Sequence, residues 1–187
     1  MVDVGAVPVR LRYYGGQDAR STLESVTQVY ADVFAEPPYC EDANQVDVFT
    51  ARINSALDSP GFSLITADVH DEVLGFTFGH QLVNGHPWLD DLCKTLPAHV
   101  TQGWEDGATY AVVELAVRPV WRRQGVAGAL YQTLLANRSE RRGVLLVRPD
   151  ATAAVAAYSH WGWEVAGHLQ PGEDAPVYRV LTRSLPP

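Results

Sequence analysis

Cysteine is scarce in this chain: Cys40 and Cys93 are its two cysteines in 187 residues, at no disulfide or metal-ligand spacing. Two free thiols are expected rather than a secreted disulfide framework. Basic residues are also few, with 14 Lys and Arg against 22 Asp and Glu and a formal net charge of −8. That balance argues against a nucleic-acid partner, which needs a broad cationic face. No hydrophobic run approaches a membrane span, and the opening MVDVGAVPVRLRYY lacks an apolar segment behind a basic start; no membrane partner is expected, and the cytoplasm is the expected location. The six histidines (70, 80, 86, 99, 160, 168) form no HExxH or comparable pattern, so no metal is expected. GxxxxGK[ST], GxGxxG and GxSxG are all missing, which removes the P-loop, the dinucleotide fingerprint and the nucleophile elbow.

What is present is a 47% hydrophobic composition, enough for a core in one domain spanning 1–187. Residues 9–14 read as a strand, followed by a helix capped by Asp18 with Leu23, Val26, Val29, Tyr30 and Phe34 at helical spacing. Pro37 and Pro38 end it. A second helix carries Val46, Phe49, Ile53 and Leu57, and FSLITADV and VLGFTFGHQL form a hairpin. The long segment 83–108 holds a short helix at WLDDLCKTL and has the character of a binding loop. TYAVVELAV is the clearest strand. A helix over about 125–137, the strand GVLLVRP, a helix over about 151–161 and two last strands, in EVAGHLQ and PVYRVLTRSL, complete the order. Arg138, Arg141 and Arg142 suit the first helix's C-terminus, with Gly143 at its exit. Two strands joined by a helix make a parallel pair, so the fold class is a mixed α/β sheet with helices.

Between the strand and the first of these helices lies WRRQGVAGAL. A helix's first turn has N–H groups without internal partners and the positive end of the macrodipole, so it attracts anions. Gly125, Ala127 and Gly128 would let a phosphate reach that backbone, and Arg122 and Arg123 add charge at the rim. The same small residues would equally let the helix pack closely on a sheet.

Arg122-Arg123-Gln124-Gly125-Val126-Ala127 resembles the pyrophosphate signature Q/R-x-x-G-x-G/A of the GNAT superfamily of N-acetyltransferases. Upstream, VVELAVRPVW is similar to that family's preceding strand; downstream, Tyr158-Ser159-His160-Trp161-Gly162-Trp163 resembles its motif Y-x-x-x-G-F/W. The match runs over about 110–165. It implies the GNAT acyltransferase fold, a sheet splayed between the ELAV and LLVRP strands with acetyl-CoA as cosubstrate. It implies that the backbone of Leu115, Ala116 and Val117 pairs with the pantetheine arm, and that N–H groups of Gln124, Gly125, Val126, Ala127, Gly128 and Ala129 hold the pyrophosphate. The cofactor core would span about 109–165 and the acceptor side about 18–60 and 82–108. Many members have an asparagine where this chain has Ala151; Thr152 or Asp150 could replace its contact.

Acetyl transfer to an amine needs a neutral nucleophile, and an alkylamine of pKa about 10.4 costs roughly 4–5 kcal/mol to deprotonate at pH 7. Glu114 is the candidate base: on TYAVVELAV it shares a face with Tyr110, Val112 and Ala116, where burial raises a carboxylate's pKa. The position also suits an ion pair with Arg118 or Arg148, or a bulge that turns it to solvent; it could act directly, through water, or not at all. Tyr158 is the candidate acid, on a helix that Asp150 can cap, and a core tyrosine is the other reading. His80 and His160 are weaker bases.

For the acceptor, the residues are EPPYCED (36–42) and the loop with His86, Trp88, Asp90, Asp91, Trp104, Glu105 and Asp106. Carboxylates among aromatics suit a small cationic amine; the same loop reads equally as solvated acid over core tryptophans. A protein amine, a non-catalytic acyl-CoA-binding module and a homodimer all stay open.

Overall fold

The computed structural model describes residues 2–4, 7–104, 107–136, 138–172 and 175–185. In chain order its elements are β1 (Val2–Val4), β2 (Val7–Tyr14), α1 (Gly16–Ala19), α2 (Leu23–Phe34), α3 (Ala43–Ala56), β3 (Ser63–Val69), β4 (Glu72–Leu82), α4 (Pro87–Thr95), α5 (Ala98–Thr101), β5 (Thr109–Val117), α6 (Val126–Leu135), β6 (Arg142–Val147), α7 (Thr152–His160), β7 (Glu164–Leu169) and β8 (Tyr178–Ser184). Single 3-10 turns lie at Arg20–Thr22 and Pro119–Trp121. The chain gathers into two compact units, Met1–His80 with Val113–Ala136 and Gln81–Val112 with Asn137–Pro187. The fold class is mixed α/β with one parallel strand pair.

In the first unit the strands run in the order β1-β2-β3-β4-β5. β2 pairs antiparallel with β3 from Arg10↔Asp68 to Tyr14↔Leu64, and β3 with β4 from Ser63↔Gly79 to Val69↔Glu72. His70 and Asp71, both at positive φ (49° and 63°), make the hairpin's turn, the backbone a right-handed strand pair requires. α2 turns Val26, Val29, Tyr30, Val33 and Phe34 inward, a spacing of three and one that is a single helical stripe. They join Phe49 and Ile53 of α3 and Leu64, Phe76 and Phe78 of the strands in one apolar cluster.

The start of the first helix differs from the expectation. Asp18 is not the cap of the first helix: Gly15 is the N-cap of α1, Asp18 lies within its first turn, and α2 begins only at Leu23 after the 3-10 turn. At α3, Asp42 accepts from the Asn44 and Gln45 N–H groups while the Gln45 side chain accepts from the Asp42 N–H, a reciprocal cap that fixes the helix at Ala43.

In the second unit β5 pairs parallel with β6 over Thr109–Ala111 and Arg142–Val144, although β6 continues to Val147. β8 pairs antiparallel with β6 and with β7, the latter with a shift between Val165 and Gly167. α4 falls on the short helix expected at WLDDLCKTL, and α5 adds a further helical turn to 83–108; His86 Nδ1 accepts from Trp88 N–H at 3.2 Å as the cap of α4. Gly143 does not end a helix. It sits inside β6, where a Cβ would meet Trp163 Cη2 at 2.8 Å. α6 ends at Leu135, and Arg138 lies beyond it with its guanidinium carbon 4.1 Å from the Tyr110 ring centre.

Candidate active site

β5 carries a carboxylate into an apolar neighbourhood. Val112 and Ala116, two residues either side of Glu114, are buried, and the Glu114 side chain is 14% exposed. Thr77 Oγ1, from β4, donates to the Glu114 carbonyl at 2.7 Å and fixes the strand here. The carboxylate's partner is neither Arg118 nor Arg148. Arg118 pairs with Asp32 and Glu72, and Arg148 with Asp150. Instead Arg52 of α3 brings Nη2 to 2.6 Å from Glu114 Oε2, with its guanidinium 5.7 Å from the Phe49 ring centre.

Burial pushes the Glu114 pKa up, the Arg52 charge pulls it back, Glu41 raises it, and the Leu115 N–H and the Arg52 hydrogen bond lower it; the result is about 7. Burial wins because an ion in a low-dielectric site loses more hydration than one partner returns. Tyr30 adds to the same neighbourhood. It stacks on Phe34 and Phe49 at centroid distances of 4.3 and 3.8 Å, and its hydroxyl donates to Glu41. Burial, then Glu114, pushes its phenol far above the usual range, so it is a donor at any working pH.

From Glu114 the chain runs through Leu115, Ala116 and Val117 to the turn before α6. Arg123 and Gly125 both take positive φ, 59° and 84°, a backbone that curls successive N–H groups into an anion-binding concavity. Gly125 is the N-cap, no side chain caps α6, and nothing lies within 4 Å of where its Cβ would be. Val126 and Leu130 are buried, whereas Ala127, Gly128 and Ala129 are partly exposed. The helix mouth is therefore left to backbone donors, and it fits a diphosphate. Gln124 Nε2 donates to the Val120 carbonyl at 2.8 Å. Arg122 is more tied down than a rim charge: Nε donates to the Val117 carbonyl at 3.0 Å and Nη1 bonds Glu36 at 2.8 Å. It clamps the turn to the end of β5.

Tyr158 lies in the second unit on α7, 9% exposed, edge-on to Trp161 and Trp163 at 5.7 and 6.0 Å. Asp150 does not cap α7. Its carboxylate takes two bonds from Arg148, at 3.0 and 2.6 Å, and the N-cap is Ala151 with no side-chain bond. Thr152 is exposed. His80 is buried and His160 exposed. Trp104 is 1% exposed and faces Arg142 at 5.7 Å, a core residue rather than a loop ring awaiting a cation; Glu105 and Asp106 lie outside the described residues.

A family model described as Acetyltransferase (GNAT) family matches residues 25–163. The chain belongs to this family. Among solved structures, GNAT folds similar to it include the ribosomal-protein-S18-alanine N-acetyltransferase of Escherichia coli (14% identity, TM-score 0.62, covering 95% of this chain and 94% of that one). Others are Ard1 of Thermoplasma volcanium (18%, 0.62, 97% and 100%) and the PaiA N-acetyltransferase of Thermoplasma acidophilum in complex with coenzyme A (8%, 0.59, 95% and 99%). At such identities the likeness shows the fold alone. No curated protein matches the sequence.

Within this GNAT chain the first unit brings together Glu114, the backbone of 115–117 and the turn 122–129. Arg52 and Tyr30 are the two site residues that pattern reading misses. Tyr30 fits the apolar stripe of α2 and passes as core. Arg52 is the sole basic residue of α3; it flanks the buried stripe of Phe49 and Ile53 with its side chain 46% exposed, so it reads in sequence as an ordinary solvent-facing charge. Among the described residues no group of three or more His, Cys, Asp or Glu side chains is placed to hold a metal ion, and no helix is long and apolar enough to cross a membrane.

Proposed function

We propose that this GNAT chain moves the acetyl group of acetyl-CoA directly to the primary amine of a small cationic acceptor, with Glu114 as base and Tyr158 as acid. The observation that carries it is the Glu114 carboxylate, held at about 7 on the strand that leads straight into the uncapped mouth of α6. Bound acetyl-CoA supplies a thioester whose carbonyl carbon accepts the amine nitrogen.

Each residue has a definable task. The N–H groups of 124–129 hold the pyrophosphate, Arg122 keeps their turn in register, and the backbone of Leu115, Ala116 and Val117 pairs with the pantetheine arm and offers an N–H to the carbonyl oxygen. Glu114 takes the ammonium proton, as a base poised near neutrality does best. The C–N bond forms, the C–S bond breaks, Tyr158, assigned from the family motif, gives its proton to the departing thiolate, and the proton that the nitrogen sheds on becoming an amide passes to water, from which Tyr158 is reprotonated.

A small cationic acceptor is favoured because Glu41, whose carboxylate accepts from the Tyr30 hydroxyl, lies close enough to act on Glu114 and so offers a second anion to such a substrate. A panel of small amines and peptide N-termini, mixed with acetyl-CoA and read by free thiol, tests this. Thiol release with a small amine supports it, and release with peptides alone would assign a protein acceptor. Coenzyme binding without release under any amine would mark a regulatory acyl-CoA-binding module.

A further inference from the structure

Glu114 and Arg52 lie 62 positions apart in sequence, and their pairing puts two unlike environments in contact. The Glu114 side chain is 14% exposed and the Arg52 side chain 46% exposed. An exposed pair of this kind adds little stability, and a buried one returns less than its desolvation costs. Here the anion carries the burial while the cation stays wet, so the pair acts chiefly on the carboxylate. The contact is also directional: Nη2 meets Oε2 at 2.6 Å, with the guanidinium against Phe49 on a helix anchored by the reciprocal Asp42–Gln45 cap.

We propose that Arg52 is the positioning residue for Glu114, holding the carboxylate's orientation and its ionised form so that it can receive the acceptor's proton. The inference rests on Glu114 being the base. The other groups around the carboxylate do not do this work. Glu41 opposes ionisation, Tyr30 stays neutral and donates to Glu41, and Thr77 bonds the main-chain carbonyl of Glu114 rather than its side chain. Arg52 is the one cation of the set. An arriving ammonium meets a carboxylate whose charge and orientation are already maintained from α3.

The test compares the full-length protein with Arg52→Met, Arg52→Lys and Glu114→Gln. The Glu114 carboxylate is titrated by carbon-13 NMR, assigned by difference from Glu114→Gln, and kcat/KM is followed against pH with the best amine from the panel. Arg52→Met should move both the carboxylate midpoint and the acid limb of kcat/KM upward by about one to two pH units, the size of a lost opposite charge. Coenzyme A affinity should stay as in wild type, which also reports an intact fold. Arg52→Lys should bring the limb most of the way back, since the charge returns without the planar fork. If Glu114→Gln removes the limb while Arg52→Met leaves limb and midpoint in place, the role of Arg52 is overturned and the base stands. If the limb survives Glu114→Gln, the base itself is overturned and the inference goes with it.

Discussion

Arg52 Nη2 lies 2.6 Å from Glu114 Oε2, and through this contact α3 meets the strand that leads to the turn before α6. Burial and pairing oppose each other at Glu114, and burial prevails, which places the carboxylate where a base is useful.

Replacing Glu114 with Gln should lower kcat/KM at pH 7 by about 10²-fold, the lower range for losing a general base, and abolish the rise of activity through about pH 7. The sign for stability is the reverse of the usual carboxylate. A raised folded-state pKa gives stability that is full below the ordinary 4.5 and is lost as pH climbs through about 7. The Tm of wild type relative to Glu114→Gln should therefore fall between those values, which thermal melts at several pH values check.

Tyr158→Phe keeps the ring between Trp161 and Trp163 and removes only the hydroxyl. Turnover should drop about 10²-fold while coenzyme A affinity changes by less than about twofold. Single-turnover kinetics with calorimetry separate the two, and an unaltered rate would return Tyr158 to the core.

Two substitutions at the helix mouth separate shape from access. Gly125→Ala forces a Cβ onto a backbone at φ 84°, a cost of roughly 1–2 kcal/mol, and should lower both Tm and coenzyme affinity. Ala127→Leu is compatible with a helix and sits partly exposed in the first turn, so Tm should hold while coenzyme affinity falls about tenfold or more, about 1.4 kcal/mol.

Gly143→Ala should destabilise by about 1–3 kcal/mol, the usual range for overpacking, because the new methyl meets Trp163 at 2.8 Å. Denaturant melts measure the loss, and the paired change Trp163→Phe should recover part of it by withdrawing the far edge of the indole.

Local patterns in this chain announce local structure well. TYAVVELAV, the hairpin and the run from 125 to 169 fall where alternation and helical spacing put them, because those signals are carried by neighbours in sequence. Glu114 was conspicuous for the same reason, a charge on an apolar face. Its partner was not: Arg118 and Arg148 looked nearer, yet both are claimed by other carboxylates, and only tertiary packing of α3 brings Arg52 in from 62 positions away. The caps show a similar limit. Asp18 and Asp150 have the right chemistry for helix starts, but at the first the backbone makes a separate turn before α2, and at the second Arg148 captures the side chain. Tryptophans mislead in the opposite direction, since Trp104 in an acidic stretch suggested a cation site and is instead enclosed against Arg142.

The most direct test is a titration of nitrogen-15-labelled protein with coenzyme A, following backbone amides. The largest shifts should fall on Gly125, Val126, Ala127, Gly128 and Ala129 and on the strand residues Leu115, Ala116 and Val117. Saturable binding that leaves the amides of the helix mouth unmoved would contradict the coenzyme site and the acetyl transfer built on it.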